Sequence, residues 1–281
     1  MIRLACLLVL VLGGLAGLAV PGQGASFDCS KAATPFEHAI CDNPELSEAD
    51  DRLARTYATA IGGLSDRALS EVRASQRAWL DYAGRACTRT AEPLVSGRYD
   101  ERGVSCLVDL FRSRSRVLET SRMIEGIRFY PVARFAARPD PYEAENPDSS
   151  WPVARHELAT VQIDGEDAAA EAFNRLVLAE GDTISGMFAP LGGPERVEED
   201  DNSDTSNSIA VEEISGNRIS LRVNTYWYGH GAAHGNYTTS LLHFLREEER
   251  WLEARDIFAG KGWQKALLAL VVEAAREEHG D

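Results

Sequence analysis

Apolar and polar positions change rhythm partway along this 281-residue chain. Between Thr34 and Ser121, apolar residues recur every three or four positions, the spacing of helices that bury one face. From Val153 onward, several stretches alternate with a period of two, the spacing of half-buried strands.

The first half predicts four helices. Thr34-Pro35-Phe36-Glu37 combines an N-cap, a proline at the first helical position and a glutamate at the third, and opens a helix running to about Cys41. Ser47-Glu48-Ala49-Asp50 opens a second, with Leu53, Tyr57, Ile61 and Leu64 on one face and Gly62-Gly63 weakening its end. A third begins near Asp66 and carries Leu69, Val72, Gln76, Trp79 and Ala83. A fourth spans about Val104 to Ser121, burying Leu107, Leu110, Phe111 and Leu118, with residues 90–103 as the connecting loop.

In the second half, Ile219, Leu221, Val223, Thr225 and Trp227 fall on one face of a strand from Arg218 to Tyr228. Arg218, Ser220, Arg222, Asn224, Tyr226 and Tyr228 fall on the other. Ser215-Gly216-Asn217 turns back to a partner strand at Ser208 to Ile214. Val153 to Ile163 is another strand, Asp164 to Ala179 a helix with Ala168, Ala172, Leu176 and Ala179 on its stripe. Tyr237 to Leu245 and Trp251 to Ala254 form a hairpin across Glu247 to Arg250. A last helix, Gly262 to Glu278, buries Trp263, Leu267, Leu270 and Ala274, and residues 136–151 form an irregular connection. The fold expected is α+β overall: an all-α module, residues 26–122, followed by an α+β domain with an antiparallel sheet, residues 123–281.

The first 25 residues have another purpose. Arg3 precedes an apolar run of about 17 residues, the lower limit for a membrane span, and Pro21-Gly22-Gln23-Gly24-Ala25 is a small-residue break. The segment reads as a secretion signal, with an uncleaved membrane anchor as the alternative; the expected product is periplasmic or secreted, with no membrane attachment after cleavage. Cys6 leaves with the signal. The four remaining cysteines, Cys29, Cys41, Cys87 and Cys106, then make two disulfides in an oxidising compartment. Of three pairings, Cys87–Cys106 is favoured because the two flank the turn of a helical hairpin, leaving Cys29–Cys41. The loops, of about 13 and about 20 residues, are each worth roughly 3 kcal/mol. Zinc is disfavoured by the lack of a Cys-x-x-Cys pair.

Charge divides the chain at the same place. Ser26 to Glu125 has a net charge of −2, Gly126 to Asp281 of −14, which with Arg3 make the chain's −15. An acidic second half repels nucleic acid and anionic membranes and steers a basic partner inward, although acidity alone also serves solubility.

The order Cys29, Glu37, Ile40-Cys41, Leu46, Asp50, Leu53, Tyr57, Gln76-Arg77-x-Trp79 and Cys87 resembles the LprI-like lysozyme-inhibitor family over about 95 residues. The resemblance implies a small secreted helical module, some members of which bind and inhibit lysozyme. By helical spacing, Tyr57 and Trp79 are core residues, and Gln76 and Arg77 hydrogen-bonded scaffold. Tyr226-Trp227-Tyr228-Gly229-His230-Gly231-Ala232-Ala233-His234-Gly235-Asn236, with Asp256-Ile257-Phe258, resembles the C-terminal domain of RsiV-type anti-sigma proteins, also found beside PdaC-type deacetylases. This second resemblance implies an extracytoplasmic α+β module which, in the RsiV branch, recognises lysozyme. The chain has neither an anti-sigma segment nor a deacetylase domain.

His230 and His234 share the spacing of a helical metal-binding pair, but Gly229, Gly231 and Gly235 oppose a helix, and no glutamate follows His230. A glycine-rich turn with locally bonded histidines is the plainer reading. There is no Gly-x-Ser-x-Gly, Ser-x-x-Lys or phosphate-binding glycine loop. Asp200-Asp201-Asn202-Ser203-Asp204 departs from the calcium-loop pattern at Thr205 and Val211 and reads as a solvated acidic loop. The resulting expectation is a non-enzymatic binding protein without cofactor, whose partner is lysozyme or a related lytic enzyme. Its predicted contacts are Tyr226, Tyr228, His230, His234 and Asn236. The alternatives are a metal-dependent cell-wall enzyme at His230 and His234, or an envelope protein with another partner.

Overall fold

The computed structural model describes residues 25–185 and 202–280. Residues 1–24 of the expected signal segment, with Cys6, and Asp200 and Asp201 lie outside the described residues.

Four helices come first: α1 (Pro35–Asp42), α2 (Pro44–Ala60), α3 (Asp66–Ala86) and α4 (Glu101–Leu118). The capping box of α1 forms as expected. Thr34 Oγ1 accepts from the Glu37 N–H at 3.2 Å, and Glu37 Oε2 accepts from the Thr34 N–H at 2.9 Å. Helix α2 starts three residues before the expected Ser47, because Pro44 sits at its first position, where no amide hydrogen is needed. Helix α4 starts at Glu101 rather than Val104, since Asp100 accepts from the Gly103 N–H at 2.7 Å. Disulfides join Cys29 to Cys41 and Cys87 to Cys106. Leu46, Leu53, Val72, Leu107, Phe111 and Leu118 pack round Trp79, whose ring meets that of Phe111 edge-on at 4.9 Å. Tyr57 is only partly buried, while Gln76 Oε1 accepts from Nε of the buried Arg114 at 2.9 Å.

A seven-stranded sheet follows, in the spatial order of the chain: β1 (Met123–Ile124), β2 (Ile127–Pro139), β3 (Val153–Ile163), β4 (Ser203–Ser215), β5 (Arg218–Gly229), β6 (Asn236–Leu245) and β7 (Arg250–Trp251). All neighbours are antiparallel except β3 and β4, which run parallel. That pair is bridged by α5 (Ala168–Ser185), as a parallel connection requires. The fold is α+β with a predominantly antiparallel sheet.

Several sequence expectations need correction. Residues 136–139 are not irregular but complete β2, a strand whose mixed burial hides any clean alternation. Helix α5 begins at Ala168, where Asp167 accepts from the Ala170 N–H at 2.8 Å; of the expected stripe Ala172 is buried and Leu176 packs on the core, but Ala168 and Ala179 are exposed and Ala170, Phe173 and Val177 are buried instead. The C-terminal helix α7 (Trp263–His279), reached through the short α6 (Ala254–Ile257), buries none of its residues, although Trp263, Leu267, Leu270 and Ala274 were expected inside. Asp204 belongs to β4, not to a solvated loop.

Helices and sheet share an apolar cluster, since Tyr130, Ala137 and Val153 join the one built on Trp79. Helix α3 lies along β2. The buried Ser75 hydroxyl accepts from the Ala133 N–H at 3.1 Å and faces its carbonyl at 3.3 Å, covering part of that strand's edge. On the other cluster, Phe173 and Val177 of α5 pack over Ile209, Leu221, Val223 and Phe244.

Candidate partner-binding ribbon

Strands β5 and β6 continue past the apolar cluster as a ribbon, with β4 still flanking β5 through the pairs Thr205–Trp227, Asp204–Tyr228 and Ser203–Gly229. Tyr226 pairs with Tyr237, and Trp227 with Asn236. Their backbone ladder is regular, but little packs on either face here. Tyr226 and Trp227 are exposed, Tyr237 is 83% exposed, and Asn236 to Leu241 are all exposed. Strand β7 pairs only with Phe244 and Leu245, so among the described residues the outer edge of β6 before them carries no further strand. An aromatic surface beside a free strand edge is suited to holding an extended segment or a shallow protein surface.

Two glycines make this surface. A Cβ on Gly235 would lie 2.5 Å from the Tyr226 ring, and one on Gly229 2.7 Å from the Trp227 ring. The rings therefore lie against bare backbone. Gly231, at φ 80°, takes the left-handed conformation that the turn requires. The Ala232 N–H donates to the Gly229 carbonyl at 2.9 Å, and the Tyr228 hydroxyl to the Ala232 carbonyl at 3.1 Å.

His230 anchors the turn. Its side chain is 2% exposed, with Nδ1 2.6 Å from Asp140 Oδ2 and Nε2 3.3 Å from Asp204 Oδ1. Trp151 and Tyr228 lie beside the ring, at centroid distances of 6.4 and 6.3 Å. Burial opposes a charge on His230, but the hydrogen bonds and charges of Asp204 and Asp140 outweigh it and raise its pKa. Asp204 is shifted the other way. Its burial is overcome by His230 and by Arg155, whose Nη2 stands 2.6 Å away. Arg155 Nη1 in turn lies 3.5 Å from Cys106 Sγ, so the chain of polar contacts ends on a disulfide of the helical segment. Next to it, the Tyr82 hydroxyl donates to Glu157 at 2.9 Å, and burial raises the Glu157 pKa despite that bond.

The five residues predicted as contacts thus divide. Tyr226, His234 and Asn236 are exposed, with His234 Nδ1 3.2 Å from the Gly235 carbonyl. Tyr228 is half-buried over the turn, and His230 faces inward. A carboxylate stands at each ring nitrogen of His230, so both nitrogens find their partners within the chain. Among the described residues, no group of three His, Cys, Asp or Glu side chains is placed to hold a metal ion. Sequence reasoning put Trp227 on the buried face and passed over Tyr237. The cross-strand register of a hairpin centred on 231–232 would have set Tyr237 opposite Tyr226.

The chain therefore joins a disulfide-linked helical segment to a sheet that presents an aromatic ribbon. Residues 29–118 match the family model described as Lysozyme inhibitor LprI. No curated protein matches the chain. Among solved structures, it is similar to a DUF3298 family protein from Pseudomonas aeruginosa PAO1. The two are 12% identical with a TM-score of 0.37, over 56% of this chain and 67% of that one. A DUF3298 family member from Bacteroides fragilis NCTC 9343 is 16% identical with a TM-score of 0.36, over 54% of this chain and 69% of that one.

Proposed function

We propose that the protein is exported to the periplasm or beyond and there binds lysozyme, or a related peptidoglycan-lytic enzyme, inhibiting it by covering its cleft. The match of residues 29–118 to the lysozyme-inhibitor family model carries this reading. Inhibition of this kind needs a rigid complementary surface and no turnover. The excess of negative charge beyond residue 125 favours encounter with a basic enzyme. On the ribbon, Tyr226, Tyr237, His234 and Asn236 make the contact, while Tyr228 and His230 hold the turn in shape. Rigid aromatic rings lose little conformational freedom on binding, which suits them to this role.

The test is to mix the purified protein with c-type lysozyme and follow both lysis of cell-wall substrate and heat of binding at low salt. Saturable loss of lysis with stoichiometric binding is the expected result. Unchanged lysis with no heat at micromolar concentrations sinks the reading.

A further inference from the structure

Helix α7 is apolar right round its middle. Ala266 to Val272 is an unbroken apolar run of nearly two turns, and no residue of the helix is buried. Leu268 and Leu270 are 64% and 63% exposed. A solitary helix of 17 residues is marginal in water, and one with apolar residues on every side belongs inside something.

Its charges say what covers it. Lys265, Leu268, Ala269, Val272, Glu273, Arg276 and Glu277 lie along one shallow groove of the helix. Lys265 and Glu273 stand four residues to either side of Ala269. If two such helices cross antiparallel at Ala269, Lys265 meets the partner's Glu273, the two-fold axis repeats the pair, and Arg276 falls opposite the partner's uncharged Gly262. A parallel pair instead sets lysine on lysine and glutamate on glutamate, which is unfavourable. Antiparallel helix dipoles add to the preference. Alanine at the crossing lets the axes approach to about 8 Å, and Leu268 and Val272 close over it.

We propose that α7 is the dimerisation element of this chain, pairing antiparallel with α7 of a second copy. The helix is about 26 Å long. One face of it buries less than the roughly 800 Å² per partner of a standard interface, which makes the dimer weak, with a dissociation constant in the micromolar range. The pairing is independent of any lysozyme contact, since α7 shares no residue with the ribbon.

Sedimentation equilibrium of the full chain across the micromolar range tests it. The wild type is expected to interconvert between monomer and dimer, and Leu268→Glu to remain monomeric. Lys265→Glu and Glu273→Lys should each weaken association about tenfold, and the double variant should restore it. All three positions are exposed, so folding is preserved, and circular dichroism checks that. A wild type that stays monomeric, with the α7 amides protected from exchange, overturns the proposal by placing the helix on its own chain. So does a dimer indifferent to Leu268→Glu, or a double variant that fails to recover.

Discussion

His230 Nδ1 lies 2.6 Å from Asp140 Oδ2 across 90 positions of sequence, joining the turn after β5 to the end of β2. With Nε2 towards Asp204, the ring bridges two carboxylates at one end of the sheet. The aromatic ribbon stands on this clamp.

The clamp sets a pH dependence. The folded pKa of His230 is raised above its ordinary 6.5. Its stabilisation is therefore complete below 6.5 and is lost as pH climbs through the folded value. The wild type should unfold at progressively lower urea concentration as pH rises from 6 into the alkaline range, and His230→Gln should flatten that slope while costing about 3–5 kcal/mol at pH 6. An unaltered slope in the variant would assign the dependence elsewhere.

Tyr82 and Glu157 form a second buried pair. Tyr82→Phe keeps the ring stacked on Phe135, at 5.2 Å between centroids, but takes the donor from a carboxylate that burial already disfavours. The expected loss is about 1–3 kcal/mol, read from urea midpoints. Tyr99→Phe, which deletes a donor to the Gly84 carbonyl on a less enclosed ring, should cost less.

Replacing Cys87 and Cys106 together by serine opens the longer of the two loops. The chain-entropy model puts the loss at roughly 3 kcal/mol. Thermal melting of the variant should coincide whether or not reductant is present, apart from the contribution of Cys29–Cys41.

Binding and stability should separate on the ribbon. Tyr237→Ala is expected to move stability by less than about 0.5 kcal/mol, because the ring touches little. It should weaken lysozyme inhibition by about tenfold or more if Tyr237 is an anchor. Gly235→Ala, by pushing a methyl group into Tyr226, should weaken inhibition as far as Tyr226→Ala does, and combining the two should add nothing further. Additive losses would mean that Gly235 acts other than through the tyrosine.

What could be read in advance follows from the range of the physics involved. The capping box of α1 needs only Thr34 and Glu37, three residues apart, so it was visible in the sequence. The β5 alternation from Ile219 to Val223 was legible for the same reason. It failed at Trp227, because alternation says which residues share a face, not where the covering helix ends. Val223 belongs to the apolar cluster that α5 covers, whereas Trp227 lies outside it and is exposed. The glycine-histidine turn was recognisable as a turn, yet nothing local distinguishes the inward His230 from the outward His234.

By itself, the sequence determined the local matters: helix starts, strand periods, the charge difference between the halves, and a helical hairpin short enough to make Cys87–Cys106 the favoured pair. Each rests on interactions spanning about twenty residues or fewer. Only the tertiary structure decided that β2 reaches residue 139, that Asp140, Asp204 and Arg155 converge at His230, and that α7 finds no cover among the described residues. Those outcomes depend on which surfaces meet, and that is set by the packing of distant segments, for which an apolar stripe specifies the need for a partner but not its identity.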